Sequence, residues 1–168
     1  GLTPEDPLKT IRYASSIITP STSNPLTIHL LDGIYSPSTN GEIFPVIVMS
    51  DVSIIGQLQE NVILNAEQTN SVITYESVNN STISNLTLKG GVSDFGGGIY
   101  MQFSEDIYLS NLTISENQAF SFGGGIFIFY SSPHLSNITI NNNEAEDGGG
   151  IKSKYSTSSM FNVIINDN

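Results

Sequence analysis

The sequence predicts an all-β solenoid, a parallel β-helix of about five coils preceded by a short capping helix. Two periodic markers and the composition carry this prediction. The tetrapeptide Gly-Gly-Gly-Ile recurs from Gly96, Gly123 and Gly148, at intervals of 27 and 25 residues. A Ser-Asn corner followed by an apolar-rich segment recurs at Asn85, Asn111 and Asn137, and Asn162 continues the series, at intervals of 26, 26 and 25. Two markers keeping nearly one period mean that each repeat is one coil and that the coils stack. Asn, Ser, Thr, Gly and Ile dominate the chain, which suits short strands separated by many turns and disfavours helix.

The N-terminal segment, residues 1–20, is the expected cap. From Pro7 to Ile18, the residues Leu8, Ile11, Ala14, Ile17 and Ile18 share one helical face, and Pro near the start is tolerated there. A helix at this end would cover the strand edges of the first coil. Residues 25–95 read as irregular first coils. Leu26–Leu31 is a strand and Pro37–Phe44 a long loop; Val46–Met49, Ser50-Asp51 and Val52–Ile55 then repeat a strand, corner, strand pattern, with Asp51 in the Asn place. The step from Asp51 to Asn85 is 34 residues, and Val62-Ile63-Leu64 is extra material without an assigned position.

Residues 96–168 read as regular coils of about 26 residues. In the first, Ile99, Met101 and Phe103 alternate with Tyr100 and Gln102, the period-two pattern of a half-buried strand. Ile107–Leu109 form a second strand, Ser110-Asn111 a corner and Leu112–Ile114 a third strand. Ser115–Phe122 is expected to be a loop. Two inward columns follow across coils: Leu86, Leu112, Ile138 and Val163, and beside them Leu88, Ile114, Ile140 and Ile165. Asn85, Asn111, Asn137 and Asn162 then fall at one corner as a structural ladder, because Asn tolerates left-handed backbone and stacked amides bond along the axis. A second column, Asn117, Asn143 and Asn168, follows the third strand. The sequons at Asn80, Asn85, Asn111 and Asn137 are read as ladder and turn positions ahead of glycosylation sites.

Charge narrows the function. The chain of 168 residues has a formal charge of −11 with only 12% charged residues and no Cys. Dispersed acidity argues against nucleic-acid partners and anionic membranes, and no apolar run approaches the roughly 20 residues of a membrane span. Cofactors are not expected. Calcium is the alternative at Glu144, Glu146 and Asp147, with Asp94 and Glu116 nearby, although a solvated acidic loop is the default reading. His29 and His134 lack a matching ligand set and read as surface or turn residues. Arg12 and Lys9 read as the solvated side of the cap helix.

The first-strand face is the candidate binding surface. Its outward column runs His29, Thr74, Tyr100, Phe127, Lys152, with Glu76, Gln102, Phe129, Lys154 beside it. Tyr100, Gln102, Phe127, Phe129, Lys152 and Lys154 are therefore the candidate ligand-binding residues, if Ile126, Ile128 and Tyr130 turn inward. Exposed aromatics in a row can stack sugar rings, while the competing reading is aromatic stacking between coils. Only Glu76 is acidic on this face, so no catalytic carboxylate pair is evident. The outward threonines Thr87, Thr113 and Thr139 raise ice binding, but the column ends at Ile164.

The first 65 residues resemble the opening of pectin-lyase-like right-handed β-helix proteins, at Pro7-Leu-Lys-Thr-Ile, Asp32-Gly-Ile-Tyr, Asn40-Gly-Glu-Ile-Phe-Pro and Val52-Ser-Ile-Ile-Gly. Within that group they are similar to a bacterial extracellular domain of unknown function. From Gly96 the Gly-Gly-Gly-Ile and Ile-x-x-Asn pairs are similar to repeats of chlamydial polymorphic outer-membrane proteins, with Ile114, Ile140 and Ile165 where that family usually has Phe, and Gly98, Gly125 and Gly150 where it usually has Ala. The resemblance implies a right-handed, single-stranded helix and a secreted or surface location, without an activity. The Asp clusters and Gly-His-Gly of polygalacturonases are absent. A non-catalytic extracellular module, serving as stalk, adhesin or binder of a polysaccharide or surface protein, is thus expected. The alternative is a fragment of a polysaccharide lyase or glycoside hydrolase with catalytic coils beyond Asn168. Ending on a repeat position, the chain is expected to continue into further coils or to self-associate end to end.

Overall fold

The computed structural model describes Thr3 and residues 6–168. Helix α1 (Ile11–Ser16) is shorter than the expected Pro7–Ile18. Thr10 caps it by accepting from the Tyr13 amide, and Glu42, itself buried, receives the Ile11 amide at 2.6 Å and the Arg12 amide at 3.1 Å. Four orphan N–H groups open any helix, so a carboxylate brought from a distant loop fixes where this one begins. Ile11 and Ala14 are buried, whereas Ile17 is exposed and Lys9 precedes the helix. Residues 1, 2, 4 and 5 of the expected cap lie outside the described residues.

Parallel strands then wind in coils. The first has β1 (Leu26–Leu30) and β2 (Gly33–Tyr35), and the second has β3 (Val46–Ile47), β4 (Val52–Gly56) and β5 (Val62–Asn65). The third has β6 (Ile73–Glu76), β7 (Asn79–Lys89) and β8 (Val92–Phe95). The fourth has β9 (Ile99–Gln102), β10 (Glu105–Ser115) and β11 (Gln118–Phe122). The fifth has β12 (Ile126–Phe129), β13 (His134–Asn141) and β14 (Glu144–Asp147), and β15 (Ile151–Lys154) and β16 (Ser159–Asn166) begin another. Corresponding strands pair into three parallel sheets. The first-strand sheet is β3-β6-β9-β12-β15, the wall sheet is β8-β11-β14, and the remaining eight strands form the third. The fold is a parallel β-helix.

Both predicted inward columns lie in register: Leu86, Leu112, Ile138 and Val163, then Leu88, Ile114, Ile140 and Ile165. No coil can bury such a stripe by itself. Each fully buried Leu or Ile in the stack contributes roughly 1.5–3 kcal/mol.

Corners are held by side-chain ladders. Asn111 donates to Asn85 at 3.0 Å, Asn137 to Asn111 at 3.1 Å and Asn162 to Asn137 at 2.9 Å, all four with φ between 51° and 59°. A deeper ladder joins Asn117, Asn143 and Asn168. The Asn117 side chain donates to Asn143 and to the Leu88 carbonyl, while its oxygen receives the Gly91 amide. Asn143 repeats the pattern with Asn168, Ile114 and the Asn117 amide. A third ladder was not read from the sequence: the hydroxyls of Ser104, Ser131 and Ser156 accept from the amides of Val78, Ser104 and Ser131. Its spacing of 27 and 25 residues matches the glycine triplets and was there to be seen.

Several assignments are corrected. Asp51 does not occupy the Asn85 place. It aligns with Asn80, which donates to it at 2.7 Å, and Gly56 takes the ladder position, its carbonyl receiving the Asn85 amide. The 34-residue step therefore compared different corners. Val62-Ile63-Leu64 is the third strand of its coil, displaced by an excursion over residues 57–61; Ile63 pairs with Thr87 and Leu64 with Leu88. The expected loop Ser115–Phe122 contains β11, a strand of the wall sheet. Phe103 and Tyr130, expected inward, are exposed corner residues with φ of 49° and 43°.

Candidate functional site

The first-strand sheet places most of its outward columns as expected. Thr74, Tyr100, Phe127 and Lys152 are in register, as are Glu76, Gln102, Phe129 and Lys154. His29 is the exception. It pairs with Ile55 in the third sheet, and Ile47 stands beside Thr74 instead.

The candidate residues divide into two groups. Phe127 points outward but is only 6% exposed. Its ring stacks with Phe95 at 5.6 Å, Phe122 at 5.8 Å and Tyr100 at 6.0 Å, so the wall sheet covers it. Lys154 lies over the Phe122 ring, Nζ 3.3 Å from the centroid, and Lys152 pairs with Asp147 at 2.5 Å. Phe129 is wedged among Phe103, Tyr130 and Tyr155. Phe127, Phe129, Lys152 and Lys154 thus form a packed cluster rather than an open row, which is the stacking reading of the sequence. Aromatic pairs of this geometry add about 0.5–1.5 kcal/mol each beyond their burial.

Tyr100 belongs to the second group. On its other side, toward β3, the wall falls away and a groove opens between the first-strand sheet and residues 69–71 and 92–95. Ile47, Thr74, Glu76 and Tyr100 form one side, and Asn70, Asp94, Phe95 and Phe120 the other. Burial pushes the Tyr100 phenol above its ordinary pKa, and the charge of Glu76 adds to the rise, so this carboxylate acts on the ring beside it. Ser71 donates to Ser93, and Ser93 to the Phe95 carbonyl, which ties the wall to the third coil. Gln102 borders the groove's sheet in register with Glu76 but is not among its lining residues.

Asp94, Phe95 and Phe120 were missed as groove residues because their segments read as loops. One signal was available. Phe95, Phe122 and Asp147 each immediately precede a glycine triplet, and the three align across the wall sheet. The acidic residues Glu144, Glu146 and Asp147 lie on β14 rather than in a loop, and no cluster of three or more metal-ligating side chains occurs among the described residues. His134 is exposed and stacks on Tyr108 at 4.9 Å.

The triplet glycines position both groups. Gly123 has φ of 67°, and a Cβ on Gly125 would lie 2.5 Å from the Gly150 carbonyl and 3.2 Å from the Asn143 amide nitrogen. Glycine here lets the chain turn sharply from wall to first strand while the buried ladder passes beneath it.

The family model described as a protein of unknown function, DUF1565, matches residues 2–168. No curated protein matches the chain. Among solved structures, a pectin methylesterase mutant in complex with a hexasaccharide is similar, with a TM-score of 0.56 and 12% sequence identity. The match covers 96% of this chain but 63% of that one, so this chain spans less than two thirds of its length. At that identity the likeness is one of fold. A family match over nearly the whole sequence identifies the chain as a member of the DUF1565 family.

Proposed function

We propose that the chain is a non-catalytic β-helix module of a larger secreted or cell-surface protein and that it holds a polysaccharide in the groove beside Tyr100. The observation that carries this reading is the groove itself. It is a long-face channel in which partly exposed aromatic rings stand beside hydroxyl, amide and carboxylate groups. Sugars present CH faces and hydroxyl edges together, and such a lining suits both. The structurally similar pectin methylesterase was solved with a hexasaccharide, which supports a saccharide as occupant on a shared fold.

Binding of oligosaccharides by calorimetry tests the reading. Tyr100→Ser with Phe120→Ser is expected to abolish binding, while Phe120→Ser alone weakens binding and leaves the melting temperature nearly unchanged because that ring is exposed and Tyr100 still stacks on Phe127. Binding that survives the double change sinks the groove as the site. A hydrolytic second reading is favoured by one observation: Asp94 joins Glu76 in the same groove, which the strand pattern alone did not show. New reducing ends after prolonged incubation, lost in Glu76→Gln, would establish it in place of simple binding.

A further inference from the structure

We propose that the groove selects an oligosaccharide carrying protonated amines, a hexosamine oligomer with free amino groups, over a uronate polymer. The inference rests on the glycan reading above and adds the sign of the ligand's charge.

Two exposed carboxylates, Glu76 and Asp94, line the groove, and neither is engaged in an ion pair among the described residues. No Lys, Arg or His is among the lining residues. The lysines that share the first-strand face are committed elsewhere, Lys152 to Asp147 and Lys154 to the Phe122 ring, while Lys89 on the third sheet meets Glu116. A uronate in this channel would bring its carboxylates toward Glu76 and Asp94 with no cation to neutralise them, inside a protein of formal charge −11. An ammonium group meets the opposite situation: it pairs with either carboxylate and lies over the π face of Tyr100, Phe95 or Phe120. The rings serve any sugar, whereas the carboxylates discriminate. For two partly exposed ion pairs the discrimination is on the order of tenfold at low salt, and it falls as salt rises.

The test is calorimetric titration of the whole chain with three hexamers, of glucosamine, N-acetylglucosamine and galacturonic acid, at low and at physiological salt. Glucosamine hexamer is expected to bind roughly tenfold tighter than its acetylated form, and galacturonate hexamer more weakly than both. The double variant Glu76→Gln, Asp94→Asn is expected to lose that preference and melt at the same temperature. Retained preference in this variant would attribute the effect to overall charge and overturn the proposal. Equal binding of the glucosamine and acetylated hexamers, or tighter binding of galacturonate, overturns the charge selection while leaving the glycan site standing. Binding of none of the three overturns both.

Discussion

Tyr100 and Phe127 are register partners on adjacent strands of one sheet, and both point away from the core, yet Phe127 is buried and Tyr100 borders an open channel. The difference is made by what stands opposite. Over Phe127 the wall sheet presents Phe95 and Phe122, with Lys154 laid across the latter. Over Thr74 and Glu76, two coils before Phe127, stand only Asn70 and the small Ser71 and Ser93, whose hydroxyls bond to one another. An outward side chain on a β-helix is therefore not necessarily a surface side chain. The neighbouring sheet decides whether the same column serves packing or recognition.

The contrast is tested most severely at Phe127. Phe127→Ala should cost about 3–5 kcal/mol, because it removes a buried ring and unstacks its neighbours. Thermal unfolding should show a drop of several degrees, and a shift near zero would mean that the cluster is not packed. Next in size is the floor beneath both regions. Asn143→Ala removes the partners of the Asn117 amide and the Ile114 carbonyl from a buried ladder, and denaturant titration should register a loss of about 2–4 kcal/mol.

Behind the groove, Tyr75 on β6 is fully buried and its hydroxyl makes no hydrogen bond of good geometry, with the Ser81 hydroxyl the nearest group able to answer it. Tyr75→Phe should accordingly stabilise the protein by about 1 kcal/mol, and a destabilised variant would show that the hydroxyl is satisfied. A smaller effect is expected for Lys154→Met, about 0.5–1 kcal/mol lost with the cation–π contact, readable as a modest change in denaturation midpoint. Smallest of all is Phe120→Ser at the open rim, within about 0.5 kcal/mol of neutral, as befits a side chain that is 61% exposed. A loss comparable to that at Phe127 would erase the distinction between the two regions.

Much of this architecture was legible in the residues themselves. Where a coil repeats without insertion, as from Asn79 onward, period and inward columns follow from counting, since each inward residue must meet its equivalent one coil away. Counting failed at Asp51, where a Ser-Asp pair at the Asn80 corner reads like the Ser-Asn of the next corner, and at Val62, where five residues inserted after Gly56 displaced the third strand. It failed again at Phe103 and Tyr130, whose alternation suggests inward strands but whose backbone turns left-handed at the strand end. The groove was half legible: Glu76 and Tyr100 lie on two adjacent strands with clear alternation, whereas Asp94, Phe95 and Phe120 lie on segments that show none.

The sequence by itself determined the coil, its period and the asparagine corners, because these depend on contacts between equivalent residues that recur at fixed separation. Only the tertiary structure decided which outward residues are covered, which are open and which acid stands across from Glu76. Those outcomes depend on two different sheets meeting at an angle along the same coil, and no spacing along the chain records how closely they approach.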